Sequence, residues 1–523
     1  VLRPQSVRTR SAAGRGVAAA PAAAIEASVA LTANCAEPGG PALLAGPWLT
    51  DVTTTSASVQ LVLGGDVATS VYFLEHDGRC DADTLYTKGT RVPATRVTQT
   101  DVPYSQPGDL VPEKLYSATL RLDAAAADRR FCYGIELPPT PWMPKNRYVC
   151  PPQLERGFAG TSFVVPGSGG DRFVFYVYGD TRDPSGFNKI HDELAEWMTA
   201  DLTADLETGR DAAELLINTG DFAYDGCDAG LWLSNFFAPT RALAQQLPLW
   251  TAPGNHEGYS EQGGPPCPNR SFYFAYFAAP YRRESSRAPG MYRFDHKNVR
   301  FISLDLIGDE KADSAGLDPA VCNRDNAGAE PCAYDWLKAQ LLGEGAADWN
   351  DIDHVIVFYH APLITAPPAG KHASSNFQIA ALAPLFERPD GVHPGKVTAV
   401  LTGHNHFYER SQPLTDLCLA SDTGCRAARQ PPCPGDPTPD GFQFPDVCYR
   451  QDPKNGIHYV ISGGGGAEPY QAPPGPFPIR WLAVADGAYH YLKLTIDGRR
   501  AWLEATGFRG DGTRFDERVT LRE

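Results

Sequence analysis

From Gly46 to about Pro139 the apolar positions come in short runs separated by turn residues. Ser56–Leu63 (SASVQLVL) alternates, Ser70–Leu74 (SVYFL) is β-branched and aromatic, and Tyr116–Leu122 and Arg130–Leu137 repeat the pattern. Regular short strands without a helical period predict an all-β sandwich over residues 41–155. Pro138–Pro144 and Pro151–Gly157 read as a linker. After about Thr161 the rhythm changes. Arg172–Tyr178, Glu214–Thr219, Leu249–Ala252, Val355–Tyr359 and Val397–Thr402 are apolar strands, and Tyr292–Leu304 reads as a hairpin. Helical spacing falls between them, at Asn188–Leu202, Leu231–Leu247, Tyr334–Leu342 and Phe377–Phe386. Strands alternating with helices predict an α/β domain with a covered sheet over residues 161–523. Ser411–Pro453, rich in Cys and Pro, interrupts that pattern as an insertion pinned by disulfides.

Composition narrows the picture. The chain has 523 residues, 42% hydrophobic and 21% charged, as in an ordinary globular protein. Lys plus Arg is 46 against 62 Asp plus Glu, a net charge of −16. That excess opposes a nucleic-acid scaffold role, which needs basic surface, but leaves room for a small phosphorylated substrate at a site with its own cations. No stretch is long and apolar enough for a membrane span. Residues 1–40, Ala-rich after a basic run, read as a flexible or processed segment. Twelve cysteines with no CxxC argue for structural disulfides, and hence for a secreted or periplasmic protein. Oligomeric state is left open.

Five polar clusters each follow an apolar strand, where open α/β sheets place their ligand sites. They are YGDTR (178–182), TGDFAYDG (219–226), APGNHE (252–257), FYHAP (358–362) and LTGHNHFYER (401–410). Together they supply Asp180, Asp221, Tyr224, Asn255, His256, His360, His404 and His406. Carboxylates, imidazoles, an amide and a phenol suit Zn, Mn or Fe. His404 and His406 can share one loop between adjacent metals, and a carboxylate such as Asp221 can bridge two ions.

The order Asp, GDxxY, GNHE, H, GHxHxYER resembles the calcineurin-like metallophosphoesterases, specifically their purple acid phosphatase branch. The resemblance implies a four-layer αββα sandwich, and the N-terminal strands resemble the fibronectin-III-like domain that often precedes it. It implies two metal ions: Fe(III) held by Asp180, Tyr224 and His406, and Zn, Mn or Fe(II) held by His360, His404 and Asn255, with Asp221 bridging. It also gives His256 a role as the acid contacting substrate and His372 one in the substrate loop. One position departs from the pattern: the branch has Gly two residues after the first Asp, and this chain has Arg182, a candidate phosphate clamp.

The expected chemistry is hydrolysis of phosphate esters, acid phosphomonoesters first. A metal-bound hydroxide attacks phosphorus in line while a histidine protonates the leaving group. A phosphodiesterase on the same scaffold and a non-catalytic binding or cell-surface protein are the alternatives.

Overall fold

The computed structural model describes residues 43–523 except 77–81, 124–125, 138–146, 150–161, 168–170, 259–266, 285–289, 308–316, 318–331, 345–348, 423–439, 474 and 476–480. The N-terminal segment 1–40, both linker stretches (138–144 and 151–157), and Cys425 and Cys433 of the insertion lie outside the described residues.

Two sheets organise the part of the chain after about residue 161. One has the order Arg514–Arg522, Arg500–Phe508, Tyr489–Asp497, Arg172–Tyr178, Ala213–Asn218, Leu249–Thr251. The other has the order Tyr292–His296, Val299–Ser303, His354–Phe358, Val397–Thr402, His458–Ser462, Tyr408–Ser411, Leu482–Asp486. Strand period decides how they stack. In the second sheet Phe301, Ile356, Phe358, Ala399 and Leu401 join the core shared with Phe175, Val177, Leu492 and Leu494 of the first sheet. Their neighbours Ile302, Val355, Val357, Val397 and Val400 point the other way, into a core with Trp336, Leu337, Ile379 and Phe386 from the helices. Fully buried strands read as continuous apolar runs because both faces are covered. Helix Lys189–Thr208, capped by Asn188 and ended by Gly209 at φ 66°, packs Leu194, Met198 and Leu202 on the outer face of the first sheet. The result is the αββα layering.

The N-terminal strands are not a detached sheet. Leu43–Thr50 pairs in parallel with Leu249–Thr251 through Thr50 and Leu249, so hydrogen bonding runs from the first of these sheets into the N-terminal part. Strand Thr90–Arg96 pairs with both Thr69–Glu75 and Leu115–Arg121. The sheet therefore folds over one core in which Leu49, Val59 and Leu120 meet Val71, Phe131 and Tyr133. The Tyr133 hydroxyl donates to the Gln245 carbonyl at 2.7 Å, and Trp48 lies 4.4 Å from Phe237, fixing the two parts together.

Candidate metal centre

Strand ends from both sheets converge. Asp180, Asp221 and Asn255 follow Arg172–Tyr178, Ala213–Asn218 and Leu249–Thr251 of one sheet. His360 and the His404–His406 loop follow His354–Phe358 and Val397–Thr402 of the other. The site thus straddles the seam between the inner sheets. To turn side chains into the seam, Asp180 (φ 61°), Asp221 (φ 59°) and His404 (φ 69°) adopt left-handed backbone, at a cost of about 1–3 kcal/mol each.

Cross-loop hydrogen bonds hold these conformations. The His404 N–H donates to the Asp180 carboxylate at 2.9 Å. Glu257, fully buried, accepts from the N–H groups of Asp221 at 3.0 Å, Gly254 at 2.6 Å and Phe222 at 2.9 Å. Asn235 sits in a π-helical turn, Trp232–Phe237, and its Oδ1 accepts from the N–H of both Asp183 and Tyr224. The Cys227–Cys267 disulfide ties the Tyr224 loop to the segment after Asn255 and His256. The carboxylate of Glu409 accepts the Ala366 N–H at 2.9 Å, bracing the loop after His360.

His360 is the hub. Its Nδ1–H donates to the Thr219 carbonyl at 2.9 Å, which leaves Nε2 facing the pocket. Around that nitrogen lie Asn255 Oδ1 at 3.0 Å, His404 Nδ1 at 3.1 Å and Asp221 Oδ1 at 3.3 Å. Ligand atoms of Asp180, Asp221 and His360 all fall within 4.8 Å of one another. Burial pushes Asp180 up to about 8. Burial opposes charge on Asp221 too, but His360, His256 and Arg182 outweigh it and hold Asp221 well below the usual carboxylate range. Burial works against a charged His360, yet Asp221 and Asp180 raise it to about 9. Burial, then Asp221, raises Glu257 to about 7. These three buried carboxyls share the pocket with His360 and the Arg182 guanidinium. The imidazole, amide and carboxylate donors at His360 fit one divalent ion.

The donors that the resemblance assigns to a second ion are arranged differently. His406 Nδ1 donates to the Glu468 carbonyl at 2.9 Å, so its Nε2 lone pair faces inward. That nitrogen lies 3.8 Å from Asp180 Oδ1 and accepts Arg182 Nη2–H at 3.2 Å. Arg182 Nε donates to Asp221 Oδ2 at 3.0 Å, and the guanidinium stands 5.6 Å from the centre of the Tyr224 ring. Asp221, Tyr224 and His406 therefore border a guanidinium, and the set Asp180, Tyr224 and His406, as it stands, does not fit a second ion. Burial, then Arg182, holds His406 well below its ordinary value.

The residues expected to contact substrate border the same pocket. His256 donates from its backbone N–H to Asp221 Oδ1 at 3.0 Å and from ring Nδ1 to the Tyr224 carbonyl at 2.7 Å. The His372 ring packs on His404 with centroids 3.8 Å apart, and the His372 carbonyl accepts from Asn405. Arg182 turns to Asp221 and His406, not to its neighbour Asp183. The sequence reading assigned no role to Glu257, Asn235 or Tyr470, whose ring stacks on His406 at 4.4 Å. Glu257 was visible as the last letter of GNHE; the other two stand in no motif. The insertion borders this side as well: Gln443 and Gly441 bond to Pro367 and Ala369 of the His372 loop. A cavity of about 620 Å³ opens between them, lined by Ala373, Ser374, Phe442 and Phe444.

Residues 173–408 match the calcineurin-like phosphoesterase family. Two uncharacterized proteins of Mycobacterium tuberculosis, from strains CDC 1551 and H37Rv, are each 28% identical over 327 residues, 60% of this chain and 54% of theirs. The chain spans about half the length of these curated relatives. A purple acid phosphatase from yellow lupin (Lupinus luteus) seeds shares the fold with a TM-score of 0.57 at 17% identity, over 91% of this chain and 74% of that one. PhoD does so with a TM-score of 0.56 at 12% identity, over 93% and 90%. With the strand-end site in place, residues 173–408 of this chain form a domain of the calcineurin-like phosphoesterase family.

Proposed function

We propose that this chain hydrolyses small phosphate esters, monoesters ahead of diesters, at a metal centre built on His360. The observation that carries the reading is His360 Nε2 with Asn255, His404 and Asp221 donors 3.0, 3.1 and 3.3 Å away, buried at a strand-end seam. Zn, Mn or Fe(II) suits that donor set, and when bound supplies Lewis acidity toward a phosphoryl oxygen and a nucleophile at neutral pH. His360, His404, Asn255 and Asp221 would hold it. The Fe(III) that the resemblance implies at Tyr224 does not fit there while the Arg182 guanidinium stands against Asp221, His406 and Tyr224.

This chain's residues supply the rest. His256 has Nδ1 committed to the Tyr224 carbonyl, so Nε2 is the nitrogen that gives a proton to the departing alkoxide. His372, packed on His404, is the candidate contact for a phosphate oxygen on that side. Arg182 uses two of its five N–H donors on Asp221 and His406, leaving three for substrate. A terminal phosphate dianion gains more from that fixed charge than a diester monoanion does, which supports the monoester preference. The N-terminal strands, folded over one core, support a fibronectin-III-like module over residues 41–155. The disulfide Cys227–Cys267, with Cys132, Cys332, Cys418 and Cys448 also bonded, supports an oxidising, secreted or periplasmic location.

The test is a paired assay of p-nitrophenyl phosphate and bis-p-nitrophenyl phosphate across about pH 4–9, with Asp221→Asn as control. Faster monoester turnover, lost in the variant, supports the reading. Diester preference moves the chain to the phosphodiesterase alternative, and hydrolysis of neither, with metal bound, removes the proposal.

A further inference from the structure

Asp221 has one carboxylate oxygen on each side of the seam. Oδ1 faces His360 at 3.3 Å, the side where Asn255 and His404 also converge. Oδ2 faces Arg182 Nε at 3.0 Å. A carboxylate so placed could serve a positive centre on each side, and on one side that centre is already part of the chain.

We infer that the Arg182 guanidinium is a built-in cation that takes the place of one of the family's two ions, so that the chain binds one metal ion per molecule. Its neighbours carry the inference. The guanidinium is bonded to Asp221 and to the inward-facing nitrogen of His406, and it lies over Tyr224. Those are three of the side chains that an ion in that position needs. The His406 Nε2 lone pair serves one partner at a time, and at 3.2 Å it accepts an N–H. A metal there would sit about 2.0–2.1 Å from the same nitrogen, so the N–H must leave first. Arginine stays charged at any working pH, so an ion on the same ligands would also face a fixed positive charge.

The side chain is held, not loosely folded in. It is 16% exposed, and Asn235 fixes both its own loop, through the Asp183 N–H, and the Tyr224 loop.

The inference rests on the metal-centre reading above but fails separately from it. The experiment is metal analysis of the full chain after reconstitution with excess iron and zinc and removal of unbound ions, beside Arg182→Gly and Arg182→Gly/Tyr224→Phe. Wild type is expected to hold about one ion per chain without tyrosinate–iron visible absorption. Arg182→Gly is expected to hold about two and to gain that absorption, which the added Tyr224→Phe removes. Two ions in wild type overturn the inference and leave a metal-dependent hydrolase standing. One ion in wild type without phosphate-ester hydrolysis supports it while removing the proposed activity. If Arg182→Gly does not fold, Arg182→Met takes its place, and the wild-type count alone still decides.

Discussion

Glu257 holds Asp221 from behind: its Oε2 accepts the Asp221 N–H at 3.0 Å, from a residue in the next motif along the chain. The same oxygen accepts the Gly254 N–H, and Oε1 accepts that of Phe222, so one buried carboxylate fastens two strand-end loops. This bond keeps Asp221 in its left-handed conformation with both oxygens turned into the seam. Glu257→Gln sets an amide N–H against one of those donors, leaving a buried group unsatisfied at about 1–3 kcal/mol. The expected outcome is metal affinity weaker by roughly 10–100-fold, the range for losing a residue that orients a ligand. Chelator competition measures it, and unchanged affinity would remove Glu257 from this role.

A single added methyl group tests the same loop sterically. A Cβ at Gly254 would lie 2.2 Å from Asp221 Oδ1 and 2.4 Å from its backbone nitrogen, whereas one at Gly510 meets nothing within 4 Å. Gly254→Ala is therefore expected to lose metal binding and hydrolysis together, and Gly510→Ala to keep both. Melting curves of the two variants separate a displaced ligand from a general loss of fold.

The Cys227–Cys267 bond closes a loop spanning 40 residues that carries Asn255 and His256. By chain entropy such a crosslink stabilises by about 4 kcal/mol at 25 °C. Replacing both cysteines with serine is expected to lower the urea midpoint accordingly. Reducing agent should do the same to the wild-type chain, and a midpoint indifferent to both would contradict the assignment.

Four buried histidines away from the centre set the acid limit of the fold. Burial lowers His191, His354 and His490 to about 4 and His458 to about 3. Unfolded, each takes up a proton below its ordinary 6.5, while the folded chain keeps it neutral. The stability they contribute is thus complete above pH 6.5 and is lost as pH falls from there toward 4, by up to about 1.4 kcal/mol per pH unit from each. Urea unfolding at pH 7, 6 and 5 should show a falling midpoint. A midpoint that holds to pH 5 would contradict it. Any acid-range catalysis therefore operates on a shrinking margin.

Strands were legible where local pattern decides them: Ser56–Leu63, Arg130–Leu137, Arg172–Tyr178 and Val397–Thr402 form over the residues their apolar runs mark. The strand Leu43–Thr50 was not, because Gly46-Pro47 interrupts its pattern and its partner Leu249 lies far along the chain. The helical run Phe377–Phe386 forms as two short helices, Asn376–Ala381 and Ala383–Glu387, since Pro384 cannot continue the first. The convergence of Asp180, Asp221, Asn255, His360, His404 and His406 follows from their strand-end positions. The direction of Arg182 does not: it depends on Asn235 and His406, far from it in sequence, and no local spacing encodes that contact.

The most direct test of the account strips the full chain of metal with a chelator and titrates Zn, Mn or Fe(II) back while following p-nitrophenyl phosphate hydrolysis. The account predicts that activity vanishes in the stripped protein and returns in proportion to added ion, with a break at about one equivalent per chain. Full activity in protein shown by metal analysis to hold no ion would contradict it.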